Sequence, residues 1–66
     1  MIKLELNADI YSESNIKQTI SVYKNYAVIK LKKRENRWVL TFRKCRYDEQ
    51  LTVKEFENYL IGTENS

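Results

Sequence analysis

Ile2, Leu4 and Leu6 alternate with Lys3, Glu5 and Asn7, the period of two that marks a half-buried strand. After the polar stretch from Asn7, Ser12 suits a helix N-cap. Glu13 follows in the first turn, where the helix dipole favours a negative charge. Ile16, Thr19, Ile20 and Tyr23 then recur at helical spacing, giving an amphipathic helix of about three to four turns that ends near Asn25-Tyr26. Ala27, Ile29 and Leu31 return to a period of two, as do Trp38, Leu40 and Phe42. These two runs flank Lys33-Arg34-Glu35-Asn36 and predict a β-hairpin; without an Asn-Gly pair, a loop longer than two residues is expected. Cys45 to Gln50 is polar connection. Thr52-Val53-Lys54-Glu55 fits a capping box, and Val53, Phe56 and Leu60 form the stripe of a second helix, with Tyr59 beside it. Gly62 stands where a C′ glycine is expected, and 63–66 should form a frayed tail.

The order is β-α-β-β-α, an α+β domain with a small three-stranded sheet and two helices packed on one face. The inward set is Ile2/Leu4/Leu6, Ala27/Ile29/Leu31 and Trp38/Leu40/Phe42, which only the two helices can cover. One domain spans residues 1–66. A chain this short buries only about 60% of the surface its unfolded form exposes, so the core is thin. With no proline and one glycine, the chain reads as nearly continuous secondary structure.

Charge changes this picture. The net charge is only +3, yet residues 30–46 carry eight of the twelve bases and a single acid, Glu35. By pleat parity Lys30 and Lys32 share a face with Val28, and Arg37 and Arg43 share it with Val39, Thr41 and Cys45. That is the face the helices leave open. Lys30, Lys32, Arg34, Arg37 and Arg43 are candidate partner-contacting residues, joined by Lys44 and Arg46 of the same basic segment and by Tyr47, the best contact candidate among five tyrosines, many for this length. A basic field of this kind speeds association with an acidic peptide or a phosphate backbone. The plainer alternative is a solvated surface whose lysines block unwanted strand pairing.

Catalytic chemistry finds little to use. There is no histidine, one cysteine and no glycine-rich phosphate loop, which points away from an enzyme and from any cofactor or metal. Asp48-Glu49 is most simply a helix cap. Cys45 lies between Lys44 and Arg46, which would lower its thiol pKa if they are close; otherwise it is a strand-end residue without a role. Trp38 has the side chain to stack on a base, but its parity with Leu40 and Phe42 assigns it to the core. A lone thiol favours a reducing compartment, hence the cytoplasm. No apolar run exceeds three residues, too short to span a membrane.

Leu4-Glu5-Leu6, Asp9-Ile10-Tyr11-Ser12, a helix ending in Tyr23 or Tyr26, a hairpin, and Glu55-Phe56-Glu57-Asn58-Tyr59-Leu60-Ile61 together resemble the HxsD-type accessory proteins of the His-Xaa-Ser system. The Phe-x-Asn-x-Leu pattern near the C-terminus carries most of the likeness. The resemblance implies a helper without an active site, a partner of radical-SAM enzymes that modify a ribosomally made peptide. Such a helper would present the precursor's leader peptide, captured as an added strand on a free sheet edge. The expectation is thus a non-catalytic accessory module binding a peptide or a partner enzyme. The alternative is a small basic nucleic-acid-binding domain using the Lys/Arg-rich hairpin. A free edge also permits pairing into a homodimer.

Overall fold

The computed structural model describes residues 1–65. Its elements are β1 (Ile2–Asn7), α1 (Glu13–Val22), β2 (Val28–Arg34), β3 (Arg37–Arg43) and α2 (Glu49–Glu64), the order the periodicities predict. The sheet order, β1-β3-β2, was not legible in the sequence. β3 lies antiparallel to both neighbours, so β1 and β2 run parallel to each other as the two edges. α1 carries the chain from one edge to the other, a split β-α-β arrangement.

Register places the inward set on one face as expected. Ile2, Phe42 and Ile29 form one cross-strand row, and Leu4, Leu40 and Leu31 the next. The central strand is covered from both sides, so Trp38, Leu40 and Phe42 are buried, as is Leu6 opposite Trp38, while Ile2, Leu4, Ile29 and Leu31 on the edge strands stay partly exposed. Both helices pack on this face. Ile16 comes from α1, and Val53, Phe56 and Leu60 come from α2. The Phe56 ring meets Phe42 edge-on, centroids 5.2 Å apart at 90°. Each fully buried Leu, Ile or Phe contributes about 1.5–3 kcal/mol, so these few side chains dominate a core of this size.

Polar atoms entering the core are satisfied. Trp38 donates its indole N–H to the Tyr11 carbonyl at 2.9 Å, which ties the β1–α1 connection over the sheet and confirms Trp38 as core. Thr19 and Thr52 are buried, and each hydroxyl donates to the carbonyl four residues earlier, of Asn15 and Asp48 respectively, at 2.8 Å. Ser12 is the N-cap of α1, its hydroxyl oxygen accepting from the Asn15 N–H.

Four local expectations are corrected. The hairpin turn is tight: Arg34 pairs with Arg37, leaving only Glu35-Asn36, with Glu35 at φ 56°. The strain is outweighed by tertiary ties from Asn36. Its carbonyl accepts from the Ala8 N–H at 2.9 Å, and its amide donates to Asp9 at 2.7 Å. Second, α2 starts at Glu49 rather than after Thr52. Asp48 is the N-cap and accepts from the Leu51 N–H at 2.9 Å, and the Thr52 hydroxyl is already spent inside the first turn. Third, Gly62 does not terminate α2, which continues through Glu64 to a cap at Asn65; Ser66 lies outside the described residues.

Fourth, Cys45 does not share the open face. Lys44 adopts φ 52° and turns the chain, so Cys45 packs against the core. Burial pushes its thiol pKa up, and the nearby Glu49 carboxylate adds to this, with the N-terminal ammonium partly offsetting both. Lys44 and Arg46 therefore do not activate the thiol.

No helix among the described residues is long and apolar enough to cross a membrane. Nor do three or more His, Cys, Asp or Glu side chains among them gather as a metal site would require.

Candidate functional site

The sheet's uncovered face is built by the pleat. Lys30 and Lys32 on β2 lie opposite Thr41 and Val39 on β3, and Arg34 lies opposite Arg37. Val28 faces Arg43 at the far end. On the other side of β3, Lys3 pairs with Thr41 and Glu5 with Val39. Five of the eight candidate residues (Lys30, Lys32, Arg34, Arg37 and Arg43) thus converge on one surface, all exposed. A shallow depression of about 450 Å³ runs across it, bordered by Lys3, Lys30, Lys32, Arg34 and Arg43, with Val39 and Thr41 also lining it.

Two residues of this face are new. Lys3 extends the basic surface, and Glu5 interrupts it by pairing with Arg37 at 3.0 Å. Both groups of that pair are well exposed, so it adds roughly 0–1 kcal/mol. Its larger effect is to neutralise Arg37, leaving Lys3, Lys30, Lys32, Arg34 and Arg43 as the cations free to meet a ligand. The alternation in β1 already put Lys3 and Glu5 on its polar side. Only the β1–β3 pairing brings them beside the hairpin cations.

Lys33 is the exception to the basic face. It falls on the inward side opposite Trp38, and its ammonium stands 5.3 Å from the indole centroid. The long stem covers the end of the core while the charge stays wet. The β2 edge therefore carries cations on both sides of the sheet and, within its seven residues, no acid.

Lys44, Arg46 and Tyr47 do not join this face. They follow the turn at Lys44 into the β3–α2 connection, where the Arg46 N–H donates to the Tyr26 carbonyl at 2.7 Å. Tyr47, 61% exposed, belongs to a different surface, on the helical side of the sheet. There a groove of about 520 Å³ is lined by Tyr23, Tyr26, Tyr47 and Tyr59, with Val22 and Leu51 beside them. The sequence holds five tyrosines, and nothing local in it says that four of them meet. They come from the end of α1, the turn before β2, the β3–α2 connection and the middle of α2, which only the tertiary fold brings together.

The molecule thus offers two surfaces: a basic sheet face continuous with a free edge strand, and an aromatic groove on the opposite side. Compared with protein-family models, curated proteins and solved structures, the chain matches none.

Proposed function

We propose that this protein is a non-catalytic binding module that takes an acidic, extended peptide as an added strand on β2. The observation that carries the reading is the chemistry of that edge. β2 is the last strand of the sheet, so the outward backbone N–H and C=O groups have no strand partner. Lys30, Lys32 and Arg34 project from it onto the open face, and Lys33 onto the other. A second copy of β2 is repelled by this charge, whereas an acidic strand gains main-chain hydrogen bonds and cross-strand ion pairs together. The likeness to HxsD-type proteins narrows the ligand to the leader of a ribosomally made precursor, presented in the cytoplasm to a radical-SAM enzyme.

The second reading, nucleic-acid binding, is favoured by the same free cations. It calls on Lys3, Lys30, Lys32, Arg34 and Arg43 as phosphate contacts rather than on the edge's backbone.

Amide chemical-shift mapping separates the two. A peptide alternating Glu and Val is titrated against the protein beside an oligothymidylate, each at low and moderate salt. The proposal expects peptide-induced shifts concentrated in Val28–Arg34 and their β3 partners. If only the oligothymidylate binds, with affinity falling steeply as salt rises, the nucleic-acid reading replaces it. Shifts confined to loops, or none with either ligand, sink both.

A further inference from the structure

The tyrosine groove is a second candidate site, on the other side of the sheet and independent of the β2 reading. Its rings are set at angles to one another instead of stacked. Tyr23 and Tyr26 have centroids 5.9 Å apart at 60°, Tyr23 and Tyr59 6.0 Å at 80°, and Tyr26 and Tyr47 6.2 Å at 38°. Tyr26, Tyr47 and Tyr59 are each more than two-fifths exposed, although a core that needed only filling would have withdrawn them from water. Ring faces carry the negative pole of the aromatic quadrupole, so a groove lined by four tyrosines offers π surface that attracts a cation wherever a face opens on it.

Charge adds to shape. Glu55 is the only charged residue among those described that line the groove. Its field reaches the rings: the Tyr23 hydroxyl pKa lies above its usual value, first because of burial and next because of the Glu55 carboxylate. The four rings and the carboxylate all favour the same ligand charge, and no basic side chain lines the groove to supply it. Arg46 stands 6.0 Å from the Tyr47 centroid but is not part of the lining.

We propose that this groove is an aromatic cage for a basic side chain, a lysine or arginine presented by a partner protein. The cationic head lies among Tyr26, Tyr47 and Tyr59 and pairs with Glu55. The aliphatic stem lies along Val22 and Leu51. The volume of about 520 Å³ exceeds what one ammonium group needs and accommodates the whole side chain with part of its backbone. The two sides of the protein then have opposite preferences, the sheet face for acids and the groove for a base. A partner spanning both must carry both signs.

The test uses the full chain with Nα-acetyl-lysine-N-methylamide and, as the neutral counterpart, the norleucine compound, which is the same side chain without its amine. Tyrosine ring proton shifts report binding. The cage expects the lysine compound to shift Tyr26, Tyr47 and Tyr59 with an affinity roughly tenfold above that of norleucine, the scale of a partly desolvated cation–π contact. Glu55→Gln and Tyr59→Leu should each bring the two ligands closer together. Leucine keeps the apolar bulk at position 59 while removing the π face. Equal affinity for both compounds makes the groove an ordinary apolar cleft and overturns the proposal, as does the absence of shifts with either. Neither result bears on peptide addition at β2, which is read from different amides.

Discussion

Glu64, in the last turn of α2, accepts a hydrogen bond from the backbone N–H of Ser12 at 2.8 Å and a second from its hydroxyl at 3.3 Å. The start of α1 is thereby fastened to the end of α2 across a sequence separation of fifty-two residues. A negative charge beside a helix N-terminus is favourable. The contact gives α2 a reason to continue past Gly62, where an isolated helix would stop. The Glu64 carboxyl is held below its ordinary value, chiefly by the Ser12 N–H, with smaller help from Asn15 and the Ser12 hydroxyl. A carboxylate whose pKa is lowered by folding stabilises fully above its unfolded value and loses that contribution as pH falls through the folded one. Glu64→Gln should therefore lower the melting temperature at neutral pH. The gap to the parent should close well below the carboxylate range. A gap that persists unchanged in acid would mean the contact is not ionic.

The N-cap of α2 is tested by comparing two substitutions. Asp48→Ala removes the acceptor of the Leu51 N–H and should cost about 1 kcal/mol in urea unfolding. Glu55→Ala, which a cap at Thr52 would make similarly costly, should stay within about 0.5 kcal/mol because the residue is exposed in the second turn. The reverse ranking would restore the Thr52 start.

These residues mark where the sequence was informative and where it was not. Alternation sorted inward from outward side chains at Leu4, Leu40 and Phe42 because period is a property of one strand alone. The same parity set Lys30, Lys32, Arg37 and Arg43 on the open face, where they are. Sheet order and the C-terminal end of α2 depend on partners distant in the chain, whereas the N-caps Ser12 and Asp48 each bond an amide only three residues on. Nothing local says that β1 inserts beside β3, bringing Glu5 to Arg37, or that Asn36 is held by Ala8 and Asp9. Cys45 was misplaced because parity was carried past Lys44, whose left-handed conformation ends the strand's alternation. The tyrosine groove was invisible for the same reason: its rings share no period.

Glu35 offers a gain in stability. Its φ of 56° is left-handed, a region that costs a residue with a Cβ roughly 1–2 kcal/mol. Glu35→Gly removes that cost but lends the unfolded chain more freedom, so a net gain of about 0.5–1 kcal/mol is expected, with the chemical shifts of Ala8 and Asp9 unchanged. A loss of stability would show that the Glu35 side chain contributes something its exposed position does not suggest.

The basic face is best probed by reversing Lys30 and Arg43 together. Both are exposed, and neither makes an ion pair among the described residues. Lys30→Glu with Arg43→Glu should therefore change unfolding free energy by no more than about 1 kcal/mol, the sum of two ordinary surface effects. It should nonetheless reduce the association rate of an acidic peptide at low salt, and by less as salt screens the field. Lys30 is the third residue of β2 and Arg43 the last of β3, and reversing both side chains replaces positive charge with negative while leaving the β2 backbone groups in place. Residual binding with shifts still centred on β2 would assign the affinity to the strand edge and the rate to the charge. Binding with an unchanged rate would reduce the cations to a solvated surface.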